Sequence, residues 1–401
     1  MSKHILLGIS GGIAAYKSCE LVRLLKKQGH RVTVAMSRAA AEFVSPLTFQ
    51  ALSGNPVLSE THNGESGGNG MAHINLTREA DIFLIAPASA NTIAKIANGI
   101  ADNLLTNLAA ARKCPLAVAP AMNVEMWFNP ANQRNIARLQ SDGITVFQPV
   151  SGEQACGETG VGRMPEAAEL AELLPDLWAE KSLQGKKVLI TAGATFEAID
   201  PVRGITNISS GQMGMALARA CRAAGAEVSL VYGQIQTGIP AGLAHAEQAI
   251  SAEAMYQAVM KQVPQQDVFI SVAAVADYKV KNSSAQKLKK ESGKPPVIEL
   301  AENPDILASV AKLDKPPFCV GFAAESENII EHARAKRLRK NIPMLVANDV
   351  AVAMGKTINR ITIIDDAGET AFPETDKNQA AAAIVSRLAE LLASVNPCLK
   401  G

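Results

Sequence analysis

Short continuous apolar runs bounded by glycine and polar turns recur along the chain, and two of them open in the same manner. Ile5 to Ile9 is one, followed by Ser10-Gly11-Gly12 and then by helical apolar spacing at Cys19, Leu21, Val22, Leu24 and Leu25. Gly29 closes that helix and Arg31 to Met36 forms the next strand, completing a βαβ unit. The second opening lies near the middle, at Lys186-Lys187-Val188-Leu189-Ile190-Thr191-Ala192-Gly193, and leads through a polar stretch to a helix over 211–224. A beginning of this kind belongs at the amino end of a domain. The pattern therefore predicts an α/β protein of two fused Rossmann-like domains, 1–180 and 186–401, each with three layers and a mainly parallel sheet. Further buried strands are expected at 81–86, 115–119 and 144–147, then at 227–231, 267–272 and 318–322. Helices are expected over 170–179 and 328–341.

A length of 401 residues agrees with two domains large enough to bury their own cores. Lysine and arginine number 39 against 38 acidic residues, a net charge of +1, so no global field favours nucleic acid or an anionic membrane. The six cysteines form no CxxC or Cys/His cluster, which disfavours a zinc site or a disulfide framework. With no apolar run of membrane-spanning length and no signal-peptide pattern, a cytoplasmic enzyme is expected.

The candidate chemistry sits where strands end. Ser10-Gly11-Gly12 offers backbone amides at a helix start, although a plain tight turn explains it equally well. The second strand ends in Ser37-Arg38 where a dinucleotide site needs an acid for its ribose, so a mononucleotide fits better than NAD. Ser89, Asn91 and Thr92 cluster after the 81–86 strand, more polar groups than capping alone requires. Asn123 lies between methionines and beside Trp127, suited to a planar ring or a carboxylate. His73, at the edge of an apolar segment, reads on spacing alone as a structural histidine. Cys156 stands among four glycines between 152 and 162, a pattern that predicts a flexible flap with an accessible thiol.

In the second half, Arg203 and Asn207 precede a glycine-rich helix start and suit an acyl phosphate. Asp277, after the 267–272 strand, is placed for a nucleotide or a magnesium ion. Lys279, Lys281, Lys287, Lys289 and Lys290 fall in one loop, a solvated segment unless a nucleotide site lies beside it. Lys336 and Lys340 are four apart on the 328–341 helix; a phosphate clamp and a solvated basic face predict the same spacing. No P-loop motif is present.

Gly8-Ile9-Ser10-Gly11-Gly12-Ile13-Ala14-Ala15-Tyr16-Lys17, His73, Pro87-Ala88-Ser89-Ala90-Asn91-Thr92, Pro120-Ala121-Met122-Asn123 with Met126, and Ala155-Cys156-Gly157 occur in order. Together they resemble the homo-oligomeric flavin-containing cysteine decarboxylases. With its second half the whole chain is similar to the bifunctional phosphopantothenoylcysteine decarboxylases and phosphopantothenate-cysteine ligases of bacterial coenzyme A synthesis, a flavoprotein-type domain followed by a ligase-type one. The resemblance implies FMN held by Ser10, Gly11, Ser37, Ser89, Asn91 and Thr92. It implies His73 as a base, Asn123 on the departing carboxylate and Cys156 as the final proton donor. For the ligase it implies 4'-phosphopantothenate, cysteine, CTP and Mg2+ as reactants and cofactor. Asn207 and Arg203 would contact the acyl cytidylate, Asp277 and Ala273 the cytidine end with Asp277 on the metal, and Lys287 or Lys289 the phosphates. Asn303, Asp305, Phe322, Lys336 and Lys340 would complete the nucleotide pocket. It also implies a dodecamer built from trimers and dimers.

Two other readings compete. An NAD(P) oxidoreductase lacks its fingerprints and strand-end acids here. A non-catalytic flavin-binding subunit does not need both His73 and Cys156.

Overall fold

The computed structural model describes residues 2–59, 72–289, 297–325, 328–349 and 358–395. The chain divides into two compact units, Met1–Leu177 and Trp178–Gly401.

The first unit is built on a six-stranded, wholly parallel sheet in the order β3-β2-β1-β4-β5-β6. Its strands are β1 (His4–Ile9), β2 (Arg31–Met36), β3 (Leu58–Ser59), β4 (Ile82–Ala88), β5 (Leu116–Pro120) and β6 (Thr145–Val146). All six residues of β1 and all seven of β4 are buried, as expected of parallel strands covered on both faces. The expected first helix is divided: a short 3-10 turn, Ile13–Tyr16, precedes the α-helix Lys17–Lys27. Gly29 then adopts φ +86°, the left-handed conformation that ends a helix without a Cβ clash.

The glycine-dense segment expected to be a loose flap is instead an ordered antiparallel hairpin, β7 (Val150–Glu153) and β8 (Thr159–Arg163). Its glycines serve close approach: a Cβ on Gly160 would lie 2.6 Å from the side chain of Val124. The segment around His73 is likewise a helix, Ala72–Glu79.

The second unit carries an eight-stranded sheet in the order β13-β12-β9-β14-β17-β18-β20-β21. Six of these are β9 (Lys187–Ala192), β12 (Glu227–Tyr232), β13 (His245–Gln248), β14 (Val268–Ser271), β17 (Phe318–Glu325) and β18 (Met344–Asp349), all parallel to one another. The last two, β20 (Ile361–Asp365) and β21 (Gly368–Ala371), run antiparallel at one edge. Three two-stranded ladders stand outside the sheet: β10 (Phe196–Ala198) with β11 (Gly204–Thr206), β15 (Tyr278–Val280) with β16 (Leu300–Glu302), and β19 (Ile358–Asn359) with β22 (Thr375–Asp376).

Alternation along the central strands feeds two cores. Val188, Ile190, Val268 and Ile270 pack on one side with the helices Gln212–Ala223 and Lys377–Val395. Leu189 and Phe269 pack on the other with the helices Ala252–Gln262, Ile306–Ala311 and Ile329–Lys340. The polar stretch before Gly211 contains the β10–β11 hairpin; Asp200 stabilises its turn by accepting from the backbone of Val202 at 2.8 Å and of Arg203 at 2.9 Å.

Candidate active sites

In the first unit the neighbouring strands β2, β1 and β4 are each followed by a serine, so Ser37, Ser10 and Ser89 stand at one edge of the sheet. Ser10 is buried; its Oγ donates to the carbonyl of Pro87 at 2.8 Å and accepts from the N–H of Ser89 at 2.8 Å, binding the two loops together. Ser37 accepts from the N–H of Ala40, and Ser89 caps the helix Ala90–Ala97 through the N–H of Thr92. Asn91 is exposed on that helix's first turn. A Cβ on Gly11 would lie 2.5 Å from that of Ala39, whereas none would meet anything at Gly12, which caps its helical turn without a side chain. The donors on offer are hydroxyls, an amide and backbone N–H groups, and no carboxylate occurs in Ser10-Gly11-Gly12, Ser37-Arg38 or 89–92. That set fits a phosphate-bearing ligand.

Beyond β5, Asn123 caps the helix Val124–Phe128 by accepting from the N–H of Glu125 at 2.9 Å, which fixes its amide and turns Nδ2 outward. That Nδ2 meets the tip of the β7–β8 hairpin: Gln154 Oε1 at 3.2 Å, Cys156 Sγ at 3.5 Å, and Glu158 Oε2. Gly157, at φ +86°, lets the five-residue tip close with a 2.7 Å bond from Gln154 N–H to the Glu158 carbonyl. Asn123, Gln154, Cys156, Tyr16 and Arg163 line one cavity of about 680 Å³. Cys156 is exposed, whereas burial pushes the thiols of Cys19 and Cys114 up and those of Cys221 and Cys319 up to about 12. Among the described cysteines it is thus the accessible one. His73 lies on the helix Ala72–Glu79, and its side chain falls outside the described residues.

Gln154 and Glu158 were not singled out from the sequence. Their only signal is that one acid and one amide lie two residues either side of the cysteine.

In the second unit two adjoining cavities, about 440 and 670 Å³, share Ala273, Val275, Phe322 and Lys336. The first contains Asn207 and the uncapped start of the helix Gln212–Ala223, where Gly211 sits at φ +75° with no side-chain partner for the helix N–H groups. An opening of that kind attracts anions. Asn207 Nδ2 donates to the carbonyl of Ala274 at 3.1 Å. The second cavity contains Asp277, Asn303, Asp305 and Lys340. Lys336 and Lys340 do share a helix face: Lys336 Nζ donates to the Phe322 carbonyl at 2.8 Å, and Lys340 Nζ pairs with Asp305 at 2.5 Å. Burial raises the Asp305 carboxyl, but Lys340 and the N–H of Ala308 outweigh it and leave the group below its ordinary value. Both lysines line the second cavity.

Arg203, expected on the acyl cytidylate, is held by protein groups in this structure. Its guanidinium is taken by the carboxylate of Asp200 and the carbonyl of Leu288, and it is not among the residues lining either cavity. Lys287 and Lys289 are exposed on either side of Leu288, and Lys290 lies outside the described residues.

The structure also adds Lys377, Asn348 and Asn359 to the first cavity. Burial lowers the Lys377 ammonium, whose Nζ reaches Gln212 Oε1 at 3.3 Å. Asn359 is 2% exposed. Lys377 carried one legible signal: a lysine at the first position of a helix opposes the helix dipole, although Asp376 before it caps that start by accepting from the N–H groups of Asn378 and Gln379.

Comparison with known proteins agrees with this division. Residues 1–177 match the Flavoprotein family model and residues 183–392 match the DNA/pantothenate metabolism flavoprotein C-terminal domain. A coenzyme A biosynthesis bifunctional protein CoaBC from Vibrio parahaemolyticus is 47% identical over 395 residues, 97% of this chain and 98% of that protein. The protein of the same name from Bacillus subtilis is 41% identical over 397 residues, 97% of each. A crystal structure of the C-terminal domain of a coenzyme A biosynthesis bifunctional protein CoaBC covers 54% of this chain and all of its own, at 37% identity and a TM-score of 0.47. Among the described residues no helix is long and apolar enough to cross a membrane. Two family models matched in order, and relatives of this identity aligned end to end, establish that the chain belongs to the bifunctional coenzyme A biosynthesis proteins, a flavoprotein domain joined to a pantothenate-metabolism domain.

Proposed function

We propose that residues 186–401 join cysteine to phosphopantothenate through an acyl cytidylate made from CTP, and that residues 1–180 decarboxylate the product to phosphopantetheine with FMN. The chain is a bifunctional enzyme of coenzyme A biosynthesis, with phosphopantothenate-cysteine ligase and phosphopantothenoylcysteine decarboxylase activities.

For the decarboxylase, the carrying observation is the meeting of Asn123 with Cys156 at one cavity wall. When bound, FMN supplies the oxidation and return reduction that make a cysteinyl carboxylate able to leave as carbon dioxide. Ser10, Gly11, Ser37, Ser89, Asn91 and Thr92 hold the cofactor. Asn123 orients the carboxylate through Nδ2, an interaction that weakens when the group becomes neutral carbon dioxide. Cys156 Sγ holds the proton delivered last, and His73 is the base for the first step.

For the ligase, it is the shared wall of Ala273, Phe322 and Lys336 that joins two cavities, one for the nucleotide and one for the acyl group. A carboxylate is a poor electrophile and its oxide a poor leaving group; CMP as leaving group solves both. Asn207 holds the acyl cytidylate, and Lys287 and Lys289 neutralise phosphate charge. Ala273, Asn303, Asp305, Phe322, Lys336 and Lys340 form the cytidine pocket. Asp277 would hold Mg2+ together with triphosphate oxygens. Trimeric decarboxylase and dimeric ligase contacts would combine into a dodecamer, which light scattering tests.

The deciding experiment is incubation with phosphopantothenate, cysteine, Mg2+ and either CTP or ATP. CMP, carbon dioxide and phosphopantetheine are expected with CTP. Their absence under all conditions overturns the reading.

A further inference from the structure

The carboxylate of Asp200 is buried within the β10–β11 turn yet receives donors from two segments far apart in sequence. Arg203 Nε approaches Oδ2 at 3.0 Å, and Nη2 contacts the same oxygen. The N–H of Leu288 reaches that oxygen too, at 3.1 Å, while the Leu288 carbonyl accepts from Arg203 Nη2 at 2.9 Å. Both backbone groups of one residue are thereby held by one ion pair. A further bond, Ser284 N–H to the Ile199 carbonyl at 2.9 Å, ties the same loop to the same turn. Leu288 is the residue between Lys287 and Lys289.

We propose that Asp200 and Arg203 form a latch that fixes the lysine loop by the backbone of Leu288, so that Arg203 is a positioning residue for Lys287 and Lys289. This rests on the reading of those lysines as phosphate-binding groups. The geometry has a reason to be built from arginine. A planar guanidinium serves a carboxylate and a carbonyl at once, whereas an ammonium on a flexible stem cannot hold the two in fixed relation. Gripping the loop by its backbone leaves both lysine side chains exposed for a ligand. It also limits the conformational entropy lost when they close on one.

Three measurements on the full chain test the latch. Tryptic cleavage after Lys287 and Lys289, mapped by mass spectrometry, accelerates about tenfold or more in Arg203→Lys and Asp200→Asn, because proteolysis follows the opened population. Leu288→Ala, which keeps both backbone groups, stays near the unsubstituted rate. Unchanged cleavage in Arg203→Lys, or equally fast cleavage in Leu288→Ala, overturns the latch. In ligation assays Arg203→Lys raises KM for CTP about tenfold while lowering kcat less. Added to a chain already carrying Lys287→Gln and Lys289→Gln, it changes acyl-cytidylate formation by less than about twofold, since a residue acting through those lysines has nothing left to position. A further tenfold fall means that Arg203 touches the intermediate itself and overturns the proposal. Absence of ligase activity in the unsubstituted chain defeats the functional reading alone; the cleavage rates still decide the latch.

Discussion

The Nδ2 of Asn123 lies 3.5 Å from the Sγ of Cys156, although 33 residues separate the two. One caps a helix that follows a sheet strand, and the other rides the tip of a hairpin. Gln154 Oε1 bridges them, accepting from Asn123 Nδ2 at 3.2 Å and from Cys156 Sγ at 3.9 Å. A carboxylate held by the amide therefore has the thiol beside it. Cys156→Ser retains the contact geometry but donates a proton less readily. It should release carbon dioxide from phosphopantothenoylcysteine while accumulating the oxidised, decarboxylated product; normal yields of phosphopantetheine would remove Cys156 from the proton-donor role.

Lys287→Gln and Lys289→Gln keep side-chain length while removing charge from exposed positions. Acyl-cytidylate formation should fall about a hundredfold to a thousandfold, the range for losing one charge-stabilising donor. Decarboxylation of supplied phosphopantothenoylcysteine should persist. Loss of both activities together would point to misfolding.

Ser10 joins two loops through a buried hydroxyl that both donates and accepts. Ser10→Ala leaves the Ser89 N–H without its acceptor, while the Pro87 carbonyl keeps only the backbone N–H of residue 10, at a cost of about 1–3 kcal/mol. The flavin absorbance of the purified protein should drop and its thermal midpoint fall. Full flavin content with an unshifted midpoint would contradict the link between these loops and the cofactor.

Gly214 faces β9 so closely that a Cβ there would lie 2.5 Å from that of Ala192 and 3.3 Å from the Val272 side chain. Gly214→Ala must move the helix start away from the sheet, for about 1–3 kcal/mol of overpacking. The N–H groups that open onto the first cavity move with it. Ligation should be impaired selectively, read as a raised KM for CTP with decarboxylation intact.

Asp365 is held below the ordinary carboxylate range chiefly by Arg387, whose Nε and Nη2 donate at 2.8 and 3.1 Å, and Asp200 is depressed in the same direction chiefly by Arg203. A carboxyl with a depressed folded-state pKa stabilises fully above its unfolded value, and that contribution fades as pH falls through the folded value. Both lie in the second unit, so its unfolding midpoint should fall steeply below about pH 4. Asp365→Asn should lower the midpoint at neutral pH and flatten the acid slope. An identical slope in the variant would locate the acid lability elsewhere.

Much of this was legible locally. The two β-strand starts, the parallel sheets and the helix ends follow from apolar runs and from residues such as Gly29, whose conformational freedom is a property of the residue itself. Ser10, Ser37, Ser89 and Asn123 were visible because in parallel α/β sheets binding groups gather after strand ends. The glycine-rich segment concealed its hairpin for a physical reason. Glycine serves flexibility and close packing alike, and only the presence of Val124 against Gly160 shows which applies.

The sequence by itself determined the central strands, the two-unit grouping and the residue types available for chemistry, because periodicity, turns and caps act over a few neighbours. Only the tertiary structure decided which side chains meet. It brought Gln154 and Glu158 onto Asn123, put Lys377 at the mouth of a helix 165 residues earlier, and turned Arg203 from the cavity toward Asp200 and Leu288. Those are long-range contacts. Their geometry is set by how sheet edges and loops stack, which no local pattern encodes.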